Sequence, residues 1–168
     1  YCPAVWLPSL ENLVNLTSLH LSENDRLQLG VVDVGVLNKL KVLVLKNTKI
    51  SSKVCGGTFG MLKELRELDL TNFECENLRE VFANVGELTS LRILSTKGIN
   101  EVVEYEAPIS LKELTTSSRI SNLAKLLELE ELHVFDCEDG FDLPNDDNEV
   151  LWWKVSKLKS LKLYGTEI

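Results

Sequence analysis

The 168-residue sequence is poor in the groups that catalysis and metal binding need. It has two histidines, His20 and His133, and neither G-x-S-x-G nor H-E-x-x-H occurs. A nucleophile elbow and a helical zinc-peptidase site are therefore missing. No G-x-x-x-x-G-K-[ST] run is present, so no phosphate-cradling loop of that kind is encoded. The four cysteines, Cys2, Cys55, Cys75 and Cys137, form no C-x-x-C pair and are too sparse for a small disulfide scaffold, so they read as thiols in a reducing compartment. Positive charge is also short: 18 basic against 26 acidic residues give a net charge of −8. That balance argues against a nucleic-acid surface or docking on anionic lipid. No apolar run reaches the length of a membrane-spanning helix, and no signal peptide opens the sequence.

Leucine is what the sequence has in excess, at 32 of 168 positions. The spacing L-x-x-L-x-L recurs seven times. It begins as Leu16, Leu19, Leu21, then Leu40, Leu43, Leu45 and Leu65, Leu68, Leu70. Two copies weaken at the last slot, Leu91, Leu94, Thr96 and Leu111, Leu114, Thr116, before Leu129, Leu132, Val134 and Leu158, Leu161, Leu163. The middle leucine never fails, and its spacings of 24, 25, 26, 20, 18 and 29 residues mostly fall within the leucine-rich period of roughly 20–29.

Leu-x-Leu is a period of two, so both leucines face one side of a short strand. A single repeat cannot bury that side alone; stacked repeats bury it against one another. The expected fold is therefore an α/β solenoid, a leucine-rich-repeat horseshoe arc of about seven repeats. A parallel sheet lines its concave face, and irregular or short helical segments return on the convex side. Residues 78–85 read as a short amphipathic helix and 121–129 as one or two helical turns. Three residues past each strand the repeat favours Asn or Cys, but here the positions are Asn24, Thr48, Phe73, Ile99, Arg119, Cys137 and Thr166, which predicts an uneven coil. Residues 1–168 are expected to form one repeat domain. Its repeats run from near the first residue to Ile168 without polar caps, as in a fragment of a longer array.

Function is expected between the leucines. The central exposed column reads His20, Val44, Asp69, Ser95, Thr115, His133, Lys162. Two residues later come Ser22, Lys46, Thr71, Lys97, Ser117, Phe135, Tyr164. With flanking positions the face holds eight basic and seven acidic residues, nearly neutral in an acidic chain, so the surplus acid is assigned to the rim and convex side. Phe135 and Tyr164 occupy adjacent rungs beside His133 and Lys162, and exposed aromatics with a cation are common interface anchors. His133, Phe135, Lys162, Tyr164, Lys97, Lys46 and Asp69 are the candidate ligand-binding residues. Phe135 has an alternative place, packed beneath the acidic insertion of residues 138–149. That insertion reads as a solvated loop, because its spacing does not match an EF-hand. No catalytic residue, cofactor or metal is expected.

The stretch 7–19 resembles the leucine-rich repeats of plant intracellular nucleotide-binding immune receptors: Leu7-Pro8, then Leu10, Leu13, Leu16 and Leu19. Ser110 to Leu114, and Leu129 to Leu132 with Cys137, fit the same style. The run Trp152-Trp153-Lys154-Val155-Ser156-Lys157-Leu158, with 111–120 before it, is similar to late repeats of the TIR-type flax rust resistance proteins. The resemblance implies a cytoplasmic sensor whose full-length form is membrane-associated or nuclear in some cases. It would recognise a pathogen effector protein through the concave face and C-terminal repeats. An alternative partner is the receptor's own nucleotide-binding domain, held inactive by this segment. An extracellular repeat receptor is the third reading, and the G-x-I-P signature of such repeats is absent.

Overall fold

The computed structural model describes residues 5–7, 10, 12–24, 27–29, 34–50, 59–75, 78–99, 104–118, 120–135 and 155–165. The insertion at 138–149, Arg119, Cys137, Trp152, Trp153 and Thr166 lie outside them. Each L-x-x-L-x-L copy forms one strand. In chain order these are β2 (Ser18–His20), β4 (Val42–Val44), β6 (Glu67–Asp69), β8 (Ile93–Thr96), β9 (Glu113–Thr116), β10 (Glu131–Phe135) and β11 (Ser160–Tyr164). They make one parallel sheet in the order β11-β10-β9-β8-β6-β4-β2. The invariant leucines pair rung to rung, from Leu19 opposite Leu43 to Leu132 opposite Leu161. This is the leucine-rich-repeat solenoid the spacing predicts. Strands stack about 4.8 Å apart, which sets the spacing of the rungs.

The leucine ladder is dry along its middle. Leu40, Leu43, Leu65, Leu68, Leu70, Leu91 and Leu111 have no exposed surface at all. One fully buried leucine contributes about 1.5–3 kcal/mol, so the ladder is the main driving force. It loosens at its ends. Leu161 on the edge strand is 43 % exposed, and Leu16, Leu19 and Leu21 are only partly buried. The expectation that every invariant leucine is interior thus fails at β11, where among the described residues one side has no stacked rung.

A second parallel sheet, not legible in the leucine pattern, runs in the order β1-β3-β5-β7. Its strands are β1 (Val5–Leu7), β3 (Leu27–Leu29), β5 (Lys49–Ile50) and β7 (Glu74–Cys75). Tight turns separate the two sheets. The residue four past the invariant leucine is left-handed in four successive repeats: Glu23, Asn47, Asn72 and Gly98 have φ of 62°, 52°, 51° and 71°. Asn and Gly tolerate this region better than other residues. Their side chains form a ladder of their own: Asn72 Nδ2 donates to Asn47 Oδ1 and Asn47 Nδ2 to Glu23 Oε1, each at 2.7 Å. At Gly98 a Cβ would fall 1.8 Å from Asn72 Oδ1, so the rung above must be glycine.

The uneven consensus slot has a physical outcome at each described rung. Asn24 Nδ2 donates to the carbonyls of Leu21 and Ser22, and Thr48 Oγ1 donates to Leu21 O at 2.7 Å. Phe73 and Ile99 instead fill the slot with buried apolar volume. The return segments match expectation in kind. Helix α1 (Leu78–Val85) buries Leu78, Val81, Phe82 and Val85, the i, i+3, i+4, i+7 stripe. Single 3-10 turns cover Val34–Val36, Phe59–Met61 and Leu123–Lys125. Beside the last, Asn122 imitates a strand by exchanging two hydrogen bonds with the Ala107 backbone, at 2.8 and 2.9 Å.

Where the repeat weakens to threonine, hydroxyls replace leucines in the core. Thr96 and Thr116 are fully buried, and Thr96 Oγ1 lies 3.1 Å from Thr116 Oγ1 and 3.2 Å from the Tyr105 hydroxyl. Thr116 Oγ1 also donates to Ser118 O and accepts from Ser118 N. Burial pushes the Tyr105 phenol up to about 12, partly opposed by its bonds to the two threonines. The Tyr105 ring packs at 4.6 Å from that of Phe82 on α1, tying this cluster to the convex side.

Candidate protein-binding face

Strand alternation turns the leucines inward, so the residues between them form in-register columns on the open face of the sheet. His20, Val44, Asp69, Ser95, Thr115, His133 and Lys162 are successive partners, as the spacing predicts. The two histidines stand five strands apart, His20 at one end of this column and His133 one rung from the other.

The candidate residues divide into one cluster and two outliers. Phe135 and Tyr164 are register partners on β10 and β11, and their rings stack at 4.4 Å with 8° between planes. Lys97 Nζ lies 3.8 Å from the Phe135 ring centre, on a cation–π contact. Lys97 follows β8, two strands from β10, with Ser117 in the intervening place of the column. A small side chain at Ser117 lets the long lysine stem cross that rung. Ser117 Oγ also accepts the Gly98 N–H at 3.0 Å, which holds the turn carrying Lys97. Phe135 is half-buried within the stack, Tyr164 closes the end of it at 45 % exposure, and the insertion at 138–149 that would cover Phe135 in the alternative placement lies outside the described residues. His133 and Lys162 are register partners two residues earlier on the same strands. His133 Nε2 is sealed from solvent, with Glu131 Oε2 3.9 Å away, beyond hydrogen-bond reach.

Asp69 and Lys46 do not join this cluster. Asp69 is on β6, three strands from β10, and its carboxylate accepts the Thr71 N–H at 2.8 Å. Lys46 follows β4, one strand farther, and is exposed. At about 4.8 Å per strand they lie roughly 14 and 19 Å from the Phe135 rung.

Ion pairs mark the edge where the C-terminal strands begin. Glu130 bonds Lys159 Nζ at 2.5 Å and Lys112 Nζ at 3.4 Å, and these two ammonium groups, Lys159 foremost, hold its carboxyl below the usual carboxylate range. Lys157 grips both oxygens of Glu128 at 2.7 Å and lowers its pKa likewise. Among the described residues no helix is long and apolar enough to cross a membrane.

No protein-family model matches the sequence. Among solved structures the chain is similar to an internalin of Listeria monocytogenes, with a TM-score of 0.63 and 22 % identity. The similarity covers 92 % of this chain and 43 % of that one, so the chain spans less than half of the internalin structure. At this identity the likeness bears on the fold alone, and it agrees with the seven-rung parallel sheet: the chain is a leucine-rich-repeat solenoid.

Proposed function

We propose that this chain is a protein-recognition module, not an enzyme, and that its ligand seats on the C-terminal end of the inner sheet face. The observation that carries this reading is the Lys97–Phe135–Tyr164 stack, an aromatic pair with Phe135 half-buried and Tyr164 exposed beside Lys162. Large, preordered aromatics lose little entropy on contact and dominate binding energy at interfaces. The wide separation of His20 from His133 supports binding over catalysis, since general acid–base chemistry needs groups within hydrogen-bond reach. The resemblance to plant nucleotide-binding immune receptors gives the finer form of the proposal. The ligand is a pathogen effector protein, and the module belongs to an intracellular disease-resistance receptor.

The test is alanine substitution of Phe135 and Tyr164, singly and together, in the full receptor, with effector binding and the defence response as readouts. Truncating a buried interface aromatic costs about 2 kcal/mol or more, roughly a thirtyfold loss of affinity. The thermal melt should remain cooperative. Recognition at wild-type strength by the folded double variant overturns the proposal.

A further inference from the structure

A different part of the same sheet carries a second surface. The residue just before each strand forms another in-register column: Thr17, Lys41, Arg66, Arg92, Lys112, Glu130, Lys159. Backbone bonds fix its order, because Lys41 N donates to Thr17 O, Arg66 N to Lys41 O, Arg92 N to Arg66 O and Lys112 N to Arg92 O, each at 2.8 Å. Five cations and one carboxylate in a single column are out of keeping with a chain of net charge −8. Toward the C-terminal end Glu130 neutralises Lys112 and Lys159. Toward the other end Arg92 is near enough to the Glu128 carboxylate to help lower its pKa. Among the described residues Lys41 and Arg66 make no ion pair or side-chain hydrogen bond, and Arg92 spends one N–H on Ser110 O at 3.3 Å. Arg66 and Arg92 are exposed and Lys41 is half-buried. Half-buried Val42 and Val44 lie beside the outer rung on β4 and half-buried Ile93 beside the other on β8, with Glu67 between Val42 and Ile93 on the middle rung.

We propose that the Lys41–Arg66–Arg92 ladder docks the acidic face of an amphipathic helix of a partner protein, laid across the strands along the coil axis. The rungs set three charges at about 0, 4.8 and 9.6 Å. Carboxylates at i, i+3 and i+7 of a helix fall at about 0, 4.5 and 10.5 Å along its axis. An extended strand offers them only at about 0, 6.7 and 13 Å, a poorer match. The guanidinium forks of Arg66 and Arg92 suit bidentate carboxylate contacts. Val42, Val44 and Ile93 meet apolar side chains of the adjoining helix face at the two outer rungs. Glu67 and Asp69 stand on the middle rung of the same surface, so a continuous polyanion would meet repulsion there, and the helix must place its single middle carboxylate on the Arg66 fork.

The probe is a synthetic alanine-based helical peptide of about 18 residues, with Glu at i, i+3 and i+7 and Leu on the adjoining face. Its binding to the whole chain is read by fluorescence anisotropy at low and high salt. Controls are a peptide of the same composition with the Glu positions scattered around the helix, and an oligothymidylate strand. The expected results are saturable binding that weakens with salt and an about tenfold loss for the scattered peptide. The triple variant K41Q/R66Q/R92Q should lose a similar factor while its circular dichroism is unchanged. Phe135→Ala/Tyr164→Ala should leave this binding intact, which separates it from the effector reading. The proposal is overturned if the helical peptide does not bind, if the scattered peptide binds equally, if the triple variant keeps its affinity, or if oligothymidylate binds more tightly than the peptide.

Discussion

Two stretches of one coil are built to the same register by different means. Across β4 and β6 the inward slots are Leu43, Leu45, Leu68 and Leu70, all dry, and the core there holds by apolar burial. Across β8 and β9 the last slot turns to Thr96 and Thr116, and a hydrogen-bonded set with Tyr105 takes over. The outer surfaces differ in parallel. The first stretch shows cations beside valines; the C-terminal strands show stacked aromatics and neutralised charge. The backbone ladder does not distinguish these regions, since parallel pairing satisfies the same N–H and C=O groups in both. What differs is tolerance: a leucine rung fails by leaving a cavity, a threonine rung by leaving buried polar groups unpaired.

The largest expected effect breaks the comparison on its apolar side. Leu70→Ala should destabilise by about 2–5 kcal/mol, whereas Leu161→Ala at the exposed end of the ladder should cost about 1 kcal/mol. Urea melts of the two variants check this, and equal losses would mean that burial does not grade the ladder. Next comes the polar side. Thr116→Val keeps the shape but strands the Ser118 N–H and carbonyl, for an expected loss of about 1–3 kcal/mol. Thr116→Ser, which keeps the hydroxyl, should recover most of it.

The smallest effect sharpens the comparison through pH. Burial holds the Tyr105 proton to about pH 12 in the folded chain, against an ordinary value of 10.0. The folded state therefore keeps a proton that the unfolded state releases. This contribution to stability is fully present below pH 10 and is lost as the pH rises from 10 toward 12. Tyr105→Phe should flatten that part of the stability profile relative to the wild type. Identical alkaline slopes for the two proteins would place the phenol outside the core network.

Much of this was written in the spacing. The invariant leucine fixes both the inward face and the register, so the pairing of His133 with Lys162 and of Phe135 with Tyr164 follows from counting. Helix α1 was legible because Leu78, Val81, Phe82 and Val85 keep a helical period. The second sheet was not, because β5 and β7 are two residues long and are held by backbone pairing that no side-chain period records. Tyr105 was also silent: it lies between repeats, and only folding brings its hydroxyl to Thr96. The inner face counted as nearly neutral because a tally has no geometry. In space the described charges form a cation column from β4 to β8, with Glu67 and Asp69 beside its middle rung, and a paired set near β9 to β11.

The sequence by itself determined the coil, since a period of two inside a period of about 24 leaves one way to bury the leucines. It also determined which residues stand on the open face. Only the tertiary structure decided which of them meet. Lys97 reaches Phe135 because a small Ser117 lies between them and a left-handed glycine turn aims its strand end. Asp69 and Lys46, equally prominent in the sequence, are separated from that site by strands whose stacking distance is fixed by the hydrogen bond.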